Sequence, residues 1–459
     1  MIFESFLALT ALGGVSIQEE DSEGSAGVVQ EESPPAPDPP APGNESHEPR
    51  PASSVGLAVD ALRAIEADHP DLARLERLGL TRAGQEIPLL VLTDLTTPSS
   101  MTRPAILFVE ESGLSPEAAM ALVMLARRVV EGAAADERLL RVLRNCAILI
   151  APLTDPDALS PDGGSATEVA PGGSAGVSFA RNFPVGWKPE TLIEGGGIVP
   201  LSAPKTLLFA QLLQEEKRLA VVCGVSPAYR PGTPYPGSEL PAVDRETYSE
   251  LSRIARRPAL VPWSLLHSPG GSFLDYAYQA HGIYALALPF ASAPPDGSPQ
   301  ESWVDRTLET LIALGERIPR LALHAFAPRR LGPGLWQLDL VLRNESVLPT
   351  LSSLAGTHRI PGQIELTLEG ATLVASAISD PVPSSGEAVF DGTSLHAMSY
   401  DPGAGLGTLV GGEGVHIRLI VSGESEHTLA VQVMAARGGV AEVKILLLEE
   451  GERAAAGEE

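Results

Sequence analysis

The sequence predicts an α/β domain, a mostly parallel mixed sheet flanked by helices, followed by a C-terminal β-sandwich. Three observations carry that reading. The apolar runs ILFVE, AILIAPL, LAVVCGV and IYALALPF show no alternation, as expected of strands covered on both faces. Segments with apolar residues at helical spacing separate them. From about residue 319 the pattern becomes two-residue alternation broken by Gly and Pro turns.

In chain order, residues 5–16 (SFLALTALGGVS) are apolar, end in small residues and are too short to span a bilayer. Residues 1–18 are therefore expected to be a signal peptide, although Glu4 stands in an n-region with no Lys or Arg. The mature chain is expected to be exported, to a periplasm or beyond, with no transmembrane helix. Residues 19–54 turn acidic and Pro-rich, too polar to pack a core, and read as an extended spacer. Residues 55–318 form the α/β domain. A helical pattern runs through VGLAVDALRAIEADHPDLARL, and IPLLVLTDL and RPAILFVEES read as strands. PEAAMALVMLARRVVEG reads as a helix, NCAILIAPL as a strand, APKTLLFAQLLQEEKR as a helix and LAVVCGV as a strand. DYAYQAHG, IYALALPF and ESWVDRTLETLIALGERI complete the alternation as helix, strand and helix. Residues 319–452 supply the strands of the sandwich, among them GLWQLDLVLRN, VHIRLIVSG and HTLAVQVMA, and 453–459 are a polar tail.

The chain has 459 residues and a formal net charge of −26, from 32 Lys+Arg against 58 Asp+Glu. That charge excludes a nucleic-acid partner, whose phosphates demand clustered Lys and Arg. Cys146 and Cys223 are the two cysteines, both in apolar strand-like runs, so they read as buried thiols. Asn344 opens an N-x-S sequon, relevant only where a glycosylating pathway acts on it.

Five segments, in order, resemble the zinc carboxypeptidases of the carboxypeptidase A type. HPDLARLERLGLTRAGQEIPLLVL is similar to that family's opening helix and glycine-containing hairpin, and ILFVEESGLSPEAAMALVMLARRV to its strand, metal loop and helix. ILIAPLTDPDAL resembles the strand ending in P-x-x-N-P-D-G, and GVSFARNFPVGW resembles G-V-D-x-N-R-N-F-P-x-x-W. GGSFLDYAYQAHGIYALALPF completes the set, which spans about residues 55 to 318. The resemblance implies a carboxypeptidase-like fold and a zinc ion on His, Glu and His, with a Glu as general base.

At the matching positions this chain departs from the family. The H-x-x-E loop is Ser112-Gly113-Leu114-Ser115, the third ligand position is Val225, and the general-base position is Pro289. None of the nine His is followed by Glu three residues later. No metal or other cofactor is therefore expected, zinc being implied only if the family's activity is retained. No catalytic residue is expected either. Arg181 falls on the family's arginine for a substrate C-terminal carboxylate, a task that suits a planar, always-charged fork. Asn182 adjoins it, and His267 precedes the GGSF segment where a substrate-facing side chain is implied. Asp275 reads as a tie between that loop and its helix.

The reading is a carboxypeptidase-like protein without peptidase activity, whose cleft binds peptide or protein C-termini or envelope polymers. The alternative is a divergent metallocarboxypeptidase or amidohydrolase, built on Glu110 and Glu111 with a metal or on His267 with Asp155 or Asp157.

Overall fold

The computed structural model describes residues 53–159, 176–227, 232–233, 240–254, 261–262, 270–290, 299–357, 364–379, 382–383, 395–397 and 408–448. The expected signal peptide, nearly all of the spacer, the tail and His267 lie outside these residues. The described residues belong to one compact unit.

Helix α1 (Ser54–Asp68) starts where the Ser53 hydroxyl accepts the Gly56 N–H, and it buries Val55, Ala58, Leu62 and Ile65. It stops earlier than its apolar pattern suggests. Pro70 disfavours helical backbone at His69 and offers no N–H of its own. The continuation is strand β1 (Ala73–Leu80), which pairs antiparallel with β2 (Glu86–Leu92) across a turn at Thr81–Gln85. Gly84 takes a left-handed φ of 81° in that turn.

Strand β3 (Ala105–Glu110) is buried along its whole length, as its unbroken apolar run requires. Helices α2 (Pro116–Gly132) and α3 (Glu137–Asn145) lead to β4 (Ala147–Ala151) and the short α4 (Pro156–Leu159). Then come α5 (Pro204–Glu215), β5 (Leu219–Ser226), β6 (Gly232–Thr233), α6 (Ala242–Ile254) and β7 (Val261–Pro262). Helix α7 (Phe273–His281), β8 (Tyr284–Pro289) and α8 (Pro299–Gly315) close this part. The sheet order is β1-β2-β4-β3-β5-β8-β6-β7. Its centre, β4-β3-β5-β8, is parallel, and β1 and β2 are antiparallel additions on one side. Register sets Glu110 beside Val225, and Ser226 beside Pro289. The C-terminal ends of three neighbouring strands are thus level.

The remaining chain is antiparallel. Strands β9 (Leu321–Ala325), β10 (Arg329–Gly332) and β11 (Leu335–Asn344) precede the short helix α9 (Ser353–Thr357). Next come β12 (Ile364–Glu369), β13 (Thr372–Ser379), β14 (Val382–Pro383) and β15 (Leu395–Ala397). The chain ends in β16 (Glu413–Ser422), β17 (Thr428–Ala435) and β18 (Gly439–Leu446). One sheet runs β10-β11-β16-β13-β15, with β9 on β11 and β14 on β16, and the other runs β12-β17-β18. Alternate residues of β11 (Trp336, Leu338, Leu340, Leu342), β16 and β17 share a core, so the two-residue period is realised as a sandwich.

Two buried charges join the sandwich to the α/β part. The Asp244 carboxylate accepts the hydroxyls of Tyr278 and Tyr284 and the N–H groups of Ser353 and Leu354. Arg437 donates to the carbonyls of Gly282 and His281 at 2.7 and 2.6 Å. Gly282 is required there, because a Cβ would lie 2.2 Å from that of Ala355.

Candidate binding site

The site begins where the parallel strands end, because the chain there leaves the ladder and its polar groups need other partners. Glu110, the last residue of β3, is fully buried. Its carboxylate turns back on the following loop, accepting the Ser112 N–H at 3.0 Å, the Gly113 N–H at 2.6 Å and the Ser112 hydroxyl. Gly113 has φ 68° and faces Asp155 closely. Burial pushes Glu110 up to about 8, against the hydrogen bonds of Ser112 and Gly113, and the neighbouring Glu111 adds to the rise. Ser115 is the N-cap of α2, accepting the Ala118 N–H at 3.1 Å, and its hydroxyl lies 3.3 Å from Glu117.

Around this loop lie further carboxylates. Asp155 pairs with the largely buried Lys205 near the start of α5, and burial still raises the Asp155 pKa. Asp157 is turned to the β1–β2 hairpin, where it bonds Thr81 and the Ala83 N–H. Glu111 is fully buried and accepts the Ser272 hydroxyl at 3.4 Å. It presses against Gly224, where a Cβ would meet its Oε2 at 2.4 Å. Asp275, also buried, has an Oδ1 with no hydrogen-bond partner among the described residues. Burial, and then Glu111, raise it to about 8. The tie between loop and helix expected of Asp275 is made by Ser272, whose hydroxyl caps α7.

Val225 is wholly buried in β5, and Pro289 ends β8 with its carbonyl accepting the Trp303 indole N–H at 3.1 Å. Neither side chain carries a donor or acceptor. Ser112, Val225 and Pro289 are therefore at the ends of adjacent strands, with Ser115 a turn further on. Arg181 ends a short 3-10 turn (Phe179–Arg181) and is half-buried. One of its guanidinium nitrogens donates to the Glu194 carbonyl at 2.6 Å. Its own carbonyl abuts Gly271, and the next residue, Ser272, bonds Glu111, so Arg181 is linked to the carboxylate group by contact. Asn182 is fully buried, its amide spent on the carbonyls of Gly196 and Val199 and on Ser202, Ala203 and Thr206.

These residues do not fit the zinc that the sequence resemblance implies. The hydroxyls of Ser112 and Ser115 are engaged in local bonds, Val225 has no ligand atom in its side chain, and the loop contains no imidazole. Among the described residues no group of three His, Cys, Asp or Glu could hold a metal ion. Sequence reading missed the Glu111–Ser272–Asp275 cluster and the Lys205 partner of Asp155. The one local signal was Lys205 itself, a cation in the first turn of a helix, where the helix dipole favours an acid.

Comparison with known proteins finds a family-model match over the sandwich and structural likenesses over rather more than half of the chain. Residues 320–446 match the family described as "Domain of unknown function (DUF8731)". No curated protein sequence matches the chain. Carboxypeptidase A from Helicoverpa armigera is similar in structure at 14% identity and a TM-score of 0.45, over 56% of this chain and 70% of that one. Bovine thrombin-activatable fibrinolysis inhibitor, solved with tick carboxypeptidase inhibitor, is similar at 16% identity and 0.45, over 57% and 94%. A metallo-carboxypeptidase from Burkholderia cenocepacia gives 15% and 0.39, over 56% and 67%. Likeness at this level says nothing of activity.

Proposed function

We propose that this chain is a carboxypeptidase-like protein that binds peptide or protein C-termini without hydrolysing them. The observation that carries the proposal is the loop after β3. Glu110 is engaged by Ser112 and Gly113, and Ser115 is spent on capping α2, so neither serine hydroxyl stands free as a ligand where the resemblance implies a metal-binding pair. Pro289, at the position where the resemblance implies the general base, has no side chain that can take a proton from water. Arg181 supports the binding half of the proposal. Its fork is only half-buried and, among the described residues, is steadied by a bond to the Glu194 carbonyl, leaving N–H groups for a carboxylate.

Calorimetric titration of the full chain with peptides ending in a free carboxylate, and with the same peptides amidated, tests this. Free peptides should bind, amidated ones at least about tenfold more weakly, and Arg181→Ala should remove the difference. Equal binding of both forms would sink the assignment. Export is part of the same proposal, supported by the apolar run at residues 5–16. The intact mass of protein recovered from its native host should lack residues 1–18, and a full-length mass would refute export through that segment.

A further inference from the structure

A cavity of about 260 Å³ lies where α3 and the end of α8 meet the sandwich. At roughly 30 Å³ per water it has room for about nine water-sized groups, the scale of a small dicarboxylate. Val142 and Ile318 give it apolar contact, and Arg141, Asn145, Arg320 and Ser346 bring polar groups. The sandwich side is firmly placed. Asn344, fully buried, accepts the N–H groups of Arg320 and Ser346 at 3.3 and 3.2 Å and donates to the carbonyls of Leu348 and Leu409. The asparagine of that sequon is thus part of the interior, and its amide fixes two residues of the cavity wall.

The charge left in this cavity is positive. Of the three arginines on α3, Arg138 is held by Glu316 and Arg144 by Asp94, whereas Arg141 has no ion-pair partner among the described residues. Glu316 also lines the cavity, but both of its oxygens are occupied by Arg138, at 2.9 and 3.3 Å. Arg320 has an exposed partner, Glu345, at 3.4 Å, a contact of little strength. The Ser346 hydroxyl oxygen is buried and has no hydrogen-bond partner among the described residues. The C-terminal ends of α3 and α8 oppose an anion by a fraction of a charge each, so the guanidinium groups must carry the attraction.

We propose that this cavity is a binding site for a small oxyanion, a carboxylate or a phosphate, held by Arg141 and Arg320 with the Ser346 hydroxyl and the Asn145 amide as further donors. Such a ligand bridges the α/β part and the sandwich and stabilises their union. In a chain of net charge −26 the overall field opposes an anion, so the attraction has to come locally from these two guanidinium groups.

The test is thermal unfolding of the full chain at constant ionic strength in chloride, titrated with inorganic phosphate in one arm and succinate in the other. A saturable rise in Tm in either arm is expected, and the arm that responds identifies the source of the oxyanion. Apparent affinity should fall at least about tenfold in Arg141→Ala and in Arg320→Ala and stay unchanged in Arg127→Ala, an exposed arginine on α2. Arg141 is exposed on its helix, so its removal does not threaten folding. No saturable rise in either arm up to about 20 mM, or a rise that Arg141→Ala leaves intact, would overturn the proposal.

Discussion

Glu110 and Asp275 are carboxyl groups that the protein keeps inside, and both are pushed to about 8, chiefly by burial. Each is protonated in the folded chain over a range where the unfolded chain is ionised. Folded protein therefore binds more protons between about 4 and about 8, and stability from these groups is present at the acid end and lost as pH rises to about 8. The loss is at most about 1.4 kcal/mol per pH unit for each group. Asp275→Asn keeps the shape and removes one titration. Urea unfolding at pH 5 and pH 8 should show the variant gaining on the parent protein at pH 8, by about 1 kcal/mol or more. Parallel pH dependence in the two proteins would mean that Asp275 is ionised in the fold.

At the scale of elements, the parallel core was legible because β3, β4, β5 and β8 are uninterrupted apolar runs, which only a sheet covered on both faces explains. The sandwich strands were legible from alternation, most clearly in β11 and β17. The helical pattern of residues 55–75 was misleading beyond Asp68, where Pro70 outweighs spacing. Helices α3 and α6 escaped notice because one is nine residues long and rich in arginine, and the other shows few apolar residues. At the site, Ser112, Ser115, Val225 and Pro289 could be placed by order along the chain. The Glu111–Ser272 contact spans 161 residues and Asp155–Lys205 spans 50, separations that no local pattern announces. Asp244 was hidden for the same reason, although it joins α6, α7, β8 and α9 through four hydrogen bonds. Asp244→Ala removes all four at about 1 kcal/mol each, and the urea midpoint should report a loss of about 3 to 5 kcal/mol. A loss under about 1 kcal/mol would show that the junction relaxes around the change.

For the whole molecule, the sheet brings the ends of β3, β5 and β8 level, with Glu110 tied to its own loop and the apolar Val225 and Pro289 beside it, whereas a hydrolytic centre needs a free base and an activated water. Asp244 and Arg437 fix the sandwich to this part through buried bonds. The central claim is that the molecule binds and does not cut. Zinc content by elemental analysis, after purification without chelator and equilibration with a slight excess of zinc, tests it most directly. The account predicts less than about a tenth of an equivalent. About one equivalent of zinc, retained in Ser112→Ala, would contradict it and require a ligand set other than the one that the sequence resemblance implies.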